Sequence, residues 1–465
     1  MDKADTSFDE FAGKMRGAGL SEAAIKAFKH SYHALVAGES GLIPDSNIEV
    51  IHDLPRLVEV SSQFLPAPEL LRQTVVIKLN GGLGTSMGLD RAKSLLKAKN
   101  DWTFLDFIAK QILHLREQHR TQIQFVLMNS FSTSRDTLDF LAKYPELGTP
   151  ADLELMQAQV PKVDAKTLLP VVCPDNPQLE WCPPGHGDIY PSLLGSGMLE
   201  RLQAADVKYC FVSNSDNLGA SLDLTLLRYF AESGKDFLME VAERTSADRK
   251  GGHLAGRGGK FLLRESAQCP EADKHLFQDT HRHRFFNTNN LWLRLDSLQK
   301  LLQQHDGFVP LPLIKNSKTV DPRDKSSTPV FQLETAMGAA IECFEKSAAI
   351  VVPRTRFAPV KTTSDLLALR SDAYEVSADW RIVTANQDST LAIDLDPAHY
   401  RLVEQLDEKT AAGVPSLKHC HQLTVRGPVC FNAQNVFRGT VTITNSSGNP
   451  RVLPTGEYQE RSLEL

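Results

Sequence analysis

The run Lys78-Leu79-Asn80-Gly81-Gly82-Leu83-Gly84-Thr85-Ser86-Met87-Gly88 constrains this chain more than any other stretch. Before it, Thr74-Val75-Val76-Ile77 is a short apolar, β-branched run of the kind that makes a buried strand, so the glycines fall where a strand hands over to a loop. Without a Cβ, glycine accepts positive φ and lets successive backbone N–H groups turn toward one anion. Lys93-Ser94 follows and adds a cation. The stretch reads as a phosphate cradle with a nucleotide as its guest. A P-loop needs G-x-x-x-x-G-K-[ST] and a dinucleotide loop needs G-x-G-x-x-G. Neither spacing fits, because Met87 stands where a third glycine belongs and Lys93 follows Ala92, not glycine.

The surrounding pattern predicts an α/β fold. Apolar residues from Phe8 to Leu35 recur at helical spacing with a break near Gly17, giving two amphipathic helices, the second capped by Ser21. After the loop, a helix over 104–118 and a strand over 123–128 continue a βαβ alternation, so the sheet is expected to be mainly parallel. Asn129 to Ser134 then forms a polar loop, at the carboxyl end of a strand where open α/β sheets place their ligands. Another strand, 207–212, ends in Ser213-Asn214-Ser215-Asp216-Asn217. A carboxylate there is the hard oxygen ligand that Mg2+ requires, with Asp216 as the candidate and an Asx turn as the alternative reading.

Further on, 236–241 reads as a strand and Phe331 to Ile341 as a helix with Glu334 near its start, where the helix dipole favours a carboxylate. Ser364 or Thr363 is expected to cap a later helix, with Lys361 exposed just before it. His281-Arg282-His283-Arg284 lacks spaced partner ligands and reads as a solvated loop. Beyond about Asp379 helical patterning fades into short strands separated by turn residues. His419-Cys420-His421 lies in one of them, where alternation sends the side chains to opposite faces and argues against a metal site.

Composition narrows the classes. The 465 residues allow two or three domains. A formal charge of −6 gives no general attraction to nucleic acid or an anionic membrane, so any polyphosphate must be held by local lysines. The polar start and the lack of a long apolar run suggest a cytoplasmic protein, and seven scattered cysteines without a C-x-x-C pair suit a reducing compartment.

The loop also resembles G-x-G-T-x-M followed shortly by Pro-Lys, the signature of sugar-1-phosphate nucleotidyltransferases. The longer string KLNGGLGTSMG is similar to the UTP–glucose-1-phosphate uridylyltransferase family in its eukaryotic-type form, with Ala92 in place of the family's proline. Later blocks in the same order extend the resemblance: M-N-S-F at 128–131, PPGHGD at 183–188, S-N-x-D-N at 213–217, FNTNN at 286–290 and L-E-T-A-x-G-A-A-I at 333–341.

The resemblance implies a Rossmann-like, mainly parallel, GT-A-like nucleotidyltransferase domain over 71–378. An N-terminal helical segment (1–70) precedes it and a C-terminal left-handed β-helix (379–465) follows, the latter a possible route to homo-oligomers. It implies nucleotide contacts from Leu79, Asn80, Gly81, Gly82, Gln157, Gly185 and Asn214, with Gln157 reading uracil. Lys93 and Lys361 become the catalytic cations on the phosphates, and Asp216 holds Mg2+. His186, Glu240, Gly252, Asn287, Asn289 and Glu334 become substrate contacts, although Glu334 also reads as a helix-start charge. The implied reaction joins UTP and glucose 1-phosphate to give UDP-glucose and pyrophosphate. A related UDP-sugar pyrophosphorylase and a non-catalytic UDP-sugar-binding protein are the alternatives.

Overall fold

The strand Thr74–Asn80 lies inside a nine-stranded sheet in the computed structural model, which describes residues 3–245, 248–386 and 391–465. It runs parallel to Gln124–Asn129 on one side and to Tyr209–Asn214 on the other, with Val76 opposite Phe125 and Phe211. Its side chains alternate between two cores: Val75 and Ile77 join one cluster and Val76 the other. Both faces are covered, which is why the strand reads as a continuous apolar run. Glu154–Met156 extends the parallel part, so three carboxyl ends open on one side beside the glycine loop. On the other flank Phe285–Arg294 runs antiparallel to both Tyr209–Asn214 and Phe237–Glu243, and Ser347–Val351 pairs parallel to the latter. The expected α/β architecture with a mostly parallel central sheet is therefore present.

The helix Phe104–His119 crosses between the first two parallel strands. Its capping box is complete: Asp106 N–H donates to Thr103 Oγ1 at 3.1 Å, and Thr103 N–H donates to Asp106 Oδ2 at 2.8 Å. At the amino end, Lys3–Gly17 and Glu22–Val36 form the expected pair, with Ser21 accepting from Ala24 N–H. Phe11, Phe28 and Tyr32 share one cluster with Val160, Val163, Leu313 and Leu333. The helix pair is thus packed against the segments that carry Val160, Leu313 and Leu333.

Three local expectations are corrected. Phe331 to Ile341 is not a helix: Pro329–Glu334 is a strand paired with Ile314–Thr319, and Met337–Glu342 is a 3-10 turn, so Glu334 ends a strand. The helix Thr363–Arg370 is capped by Thr362, one residue earlier than expected, in a box with Asp365. His281 to Arg284 is not simply solvated. His283 is 1% exposed, its Nε2 lies 2.8 Å from Asp45 Oδ1, and Arg282 Nη2 donates to Asp45 Oδ2 at 2.7 Å. A local charge pattern could not reveal a partner more than two hundred residues away.

The carboxyl-terminal strands Ala392–Leu395, Ser416–Arg426, Asn435–Thr444 and Gly456–Glu464 form a separate, wholly parallel sheet. A second parallel pair, Val429–Cys430 with Arg451–Val452, lies beside it. Leu423, Val425, Val441 and Ile443 are fully buried along its inner column, and Cys420 points inward between exposed His419 and His421. The hairpin Tyr374–Val376 with Ile382–Thr384 spans the expected boundary at 378/379.

Candidate active site

A cavity of about 330 Å³ opens at the carboxyl ends of the parallel strands. It gathers Leu79, Gly81, Gly82, Lys93, Gln157, Gly185, His186, Asn214 and Asp216, together with Met128, which sequence reasoning had not singled out. Asn80 does not join them. It is 2% exposed and lies beneath the loop, where its Nδ2 donates to Asn129 Oδ1 at 2.7 Å and its Oδ1 accepts from Ser215 Oγ at 3.1 Å. Asn80 thereby ties together the ends of three adjacent strands.

One end of the cavity is built around an amide. Gln157 N–H donates to Asn129 O at 2.7 Å, and its Nε2 donates to Gly185 O at 3.0 Å. A Cβ on Gly81 would sit 2.7 Å from Gln157 Oε1, so only glycine leaves this amide its place against the loop. The Gly185 loop is itself braced. Gly187 N–H donates to Thr335 O and Thr335 N–H to Pro184 O, both at 2.9 Å. Gly185 has φ +80° and a Cβ there would collide with the Thr335 carbonyl. The L-E-T-A-M stretch thus works as a buttress for the histidine loop. Glu334 beside it has its carboxyl pushed up by burial and is bonded to Asn316.

His186 is fixed in tautomer as well as place. Its Nδ1 accepts from Met337 N–H at 2.9 Å, so in the neutral ring the proton is on Nε2, which is left to donate. Crowding by protein atoms lowers its pKa to about 4, which keeps the ring neutral near pH 7. Asp188, two residues on, accepts from Ala158 N–H and Ser192 Oγ, both at 2.7 Å, and burial raises its pKa to about 7. It joins the histidine loop to the chain just after Gln157.

The other end carries charge. Lys93 Nζ donates to Asp216 Oδ2 at 2.7 Å, while Asp216 Oδ1 is buried without any hydrogen-bond partner. A lone carboxylate oxygen beside a space for phosphates fits a hard cation that completes its shell with phosphate and water. No cluster of three His, Cys, Asp or Glu side chains able to hold a metal occurs among the described residues, so an all-protein cage is not what this site offers. Ala92 adopts φ −52°, within the range a proline would impose, so the backbone before Lys93 keeps the shape that the missing proline would have set.

Lys361 lies outside this cavity, in an adjoining depression with Phe357, Val360 and Asp365. Its neighbour Val360 donates its N–H to the backbone carbonyl of Asp216 at 3.3 Å, so the segment that carries the second lysine is tied to the chain at Asp216. Gly252, Asn287 and Asn289 come together nearby: Asn287 N–H donates to Gly252 O at 3.0 Å and Asn287 Nδ2 to Asn289 Oδ1 at 2.8 Å. A Cβ on Gly252 would come within 2.6 Å of Glu265 Oε2. The Glu265 carboxyl is raised by burial, with Lys361 and Asn287 opposing the rise. Glu265 was missed because no motif surrounds it; only the pairing of its hairpin with the FNTNN strand brings it here.

Glu240 is placed differently from expectation. It is 0% exposed and bound by Arg356 Nε and Nη2 at 2.8 and 2.7 Å, Trp292 Nε1 at 2.9 Å and Asn290 Nδ2 at 3.0 Å. With its oxygens so engaged, it anchors protein where a sugar contact was expected.

The profile of the UTP–glucose-1-phosphate uridylyltransferase family matches residues 25–438. The UTP–glucose-1-phosphate uridylyltransferase of Solanum tuberosum is 36% identical over 447 residues, 94% of this chain and 91% of that protein. The enzyme of that name from Saccharomyces cerevisiae is 37% identical over 403 residues, covering 86% and 80%. A single-substitution variant of UDP-glucose pyrophosphorylase from Leishmania major, crystallised with UDP-glucose, superposes with a TM-score of 0.94 at 47% identity, covering 99% of each chain. Matched along most of its length in both sequence and fold, the chain belongs to the UTP–glucose-1-phosphate uridylyltransferase family.

Proposed function

We propose that this chain joins UTP to glucose 1-phosphate, releasing pyrophosphate and forming UDP-glucose reversibly. The observation that carries the reading is the single cavity in which an amide that can read a base, a glycine loop, a neutral histidine donor and a lysine–aspartate pair meet. Gln157 presents donor and acceptor on one plane, which suits the O4 and N3–H edge of uracil. The loop amides and His186 Nε2–H face phosphate oxygens. Asp216 would hold Mg2+ through Oδ1, and the ion, when bound, supplies positive charge to the phosphates.

The attacking group is the phosphate of the sugar, already an anion, so no general base is required. The obstacle is bringing two like-charged groups into line on the α-phosphorus, which is a matter of placement and charge cancellation. Lys93 can leave Asp216 for the incoming triphosphate, and Lys361 faces the sugar phosphate from the adjoining lobe. Glu265, Asn287, Asn289 and the Gly252 backbone are the groups offered to sugar hydroxyls. All residues lining the cavity lie between Leu79 and Asp216, whereas the depression that holds Lys361 is also lined by Leu391 and Ile393, so the carboxyl-terminal part reaches the site only on the Lys361 side. We read its strands as coils of a left-handed β-helix, available for contacts between copies. No disulfide joins the cysteines among the described residues, which suits a reducing cytoplasm.

The test is pyrophosphate release from UTP with a panel of sugar 1-phosphates, with and without Mg2+. Release with glucose 1-phosphate, dependent on the metal, is expected. Release only with a different sugar 1-phosphate would reassign the substrate, and tight UDP-glucose binding with no release would make the chain a binding protein.

A further inference from the structure

The segment that carries Lys361 has little secondary structure of its own. Between the strand ending at Val351 and the helix starting at Thr363 it contains Pro353 and Pro359, and its hydrogen bonds can be followed residue by residue. Arg356 and Phe357 N–H close local turns onto Pro353 and Arg354. The N–H groups that leave the segment near the lysine go to three acceptors: Ala358 to Asn217 Oδ1 at 3.0 Å, Val360 to Asp216 O at 3.3 Å and Lys361 to Asp365 Oδ2 at 2.8 Å. In return, Asn217 Nδ2 donates to Arg356 O at 3.1 Å.

Asn217 is 1% exposed and therefore makes these bonds away from water. Its one amide accepts from residue 358 and donates to residue 356, the pattern a neighbouring strand would offer. Asn217 also bridges Pro359 as an isolated antiparallel partner. Gly219, two residues on, packs so closely that a Cβ would collide with the Thr355 carbonyl. Arg356, between these contacts, is clamped by Glu240 and gives Nη2 to Ser221 O at 3.0 Å.

We propose that Asn217 is the positioning residue for Lys361: its side chain fixes the second lysine in register with the Asp216 carboxylate one residue away. The inference rests on the phosphate role assigned to Lys361 above and adds the device that sets where that lysine reaches. Alanine loses both bonds. Aspartate keeps the acceptor for Ala358 but loses the donor and turns an oxygen toward the Arg356 carbonyl. Misplacement of a catalytic cation by about 1 Å is expected to cost about 10²-fold in turnover.

The experiment is a double-mutant cycle on the full chain with Asn217→Ala and Lys361→Ala, reading kcat, glucose 1-phosphate KM and UTP affinity by calorimetry. Asn217→Ala should lower kcat by about 10²-fold while UTP affinity changes by no more than about twofold, and in the Lys361→Ala background it should add almost nothing. A multiplicative loss in the double variant, or full turnover in Asn217→Ala, overturns the proposal. If Lys361→Ala itself retains full turnover, the fault lies with the underlying assignment of that lysine. Should Asn217→Ala melt below the assay temperature, Asn217→Asp takes its place in the same cycle, with the same two results deciding.

Discussion

His186 shows how one backbone bond sets the chemistry of a side chain. Because Met337 N–H occupies Nδ1, protonating the ring would put a second donor against a donor, and burial adds to the penalty. The folded pKa of about 4 lies below the ordinary 6.5, so the cost to stability appears as pH falls from 6.5 toward 4 and is absent above 6.5. Nitrogen-detected NMR of the full chain should show a neutral Nε2–H ring from pH 8 down to pH 5, and a ring that charges near pH 6.5 would remove the argument. His186→Ala should lower turnover by about 10²-fold, the lower end of what is lost when one preorganised donor to a developing oxyanion is removed. At this scale the sequence was informative wherever motif and geometry coincide. Gly81, Gln157, Lys93 and Asp216 were all legible and meet in one cavity: Gly81, Gln157 and Asp216 follow strand ends, where the fold leaves few directions to point, and Lys93 opens a short turn, its N–H tied to Gly82 O at 3.1 Å. Glu265 was not, since its partners Gly252, Asn287 and Lys361 are its neighbours only after three elements have paired.

Elements that look alike in sequence are separated by what covers them. Phe331 to Ile341 carries apolar residues compatible with a helix, but pairing with Ile314–Thr319 on one side and Val163–Asp164 on the other makes Pro329–Glu334 the central strand of a small sheet. Tertiary pairing outweighs a local preference of a few tenths of a kcal/mol per residue. The strand Phe237–Glu243 gives the converse case. The resemblance makes its Glu240 a sugar contact, yet it is the counter-ion of a buried arginine on the Lys361 segment, with 0% and 9% side-chain exposure for the two. Removing the charge leaves Arg356 buried and unpaired. Glu240→Gln is therefore expected to cost about 3–5 kcal/mol in urea unfolding, far above the typical surface substitution. A loss below about 1 kcal/mol would mean the pair does not anchor this segment. Four strands of the central sheet were legible as short apolar runs, and the helix Phe104–His119 from its periodicity, whereas Phe285–Arg294 and Ser347–Val351 were not read as strands. The His281 to Arg284 loop was misread because its partner, Asp45, comes from the amino-terminal segment.

For the molecule as a whole, net charge opposes the proposed chemistry. At −6 the chain offers a triphosphate no general attraction, so local cations must both recruit the nucleotide and release what they hold in its absence. Lys93 holds Asp216, and that pair is the obstacle to a free metal ion: Mg2+ arriving alone at Oδ1 would face an ammonium already 2.7 Å from Oδ2 of the same carboxylate, and among the described residues it would find no cluster of carboxylates to hold it. The triphosphate changes both conditions, because it attracts Lys93 and brings oxygen ligands of its own. Millimolar MgCl2 alone should therefore leave the melting temperature of the protein unmoved. UTP with MgCl2 should raise it, corresponding to about 2.7 kcal/mol at a hundred times the dissociation constant. In Lys93→Met the uncompensated Asp216 should accept the ion directly, so MgCl2 alone becomes stabilising while the gain from UTP shrinks. If MgCl2 alone stabilises the unaltered chain as much as it does Lys93→Met, the lysine does not guard the carboxylate, and metal and nucleotide enter independently.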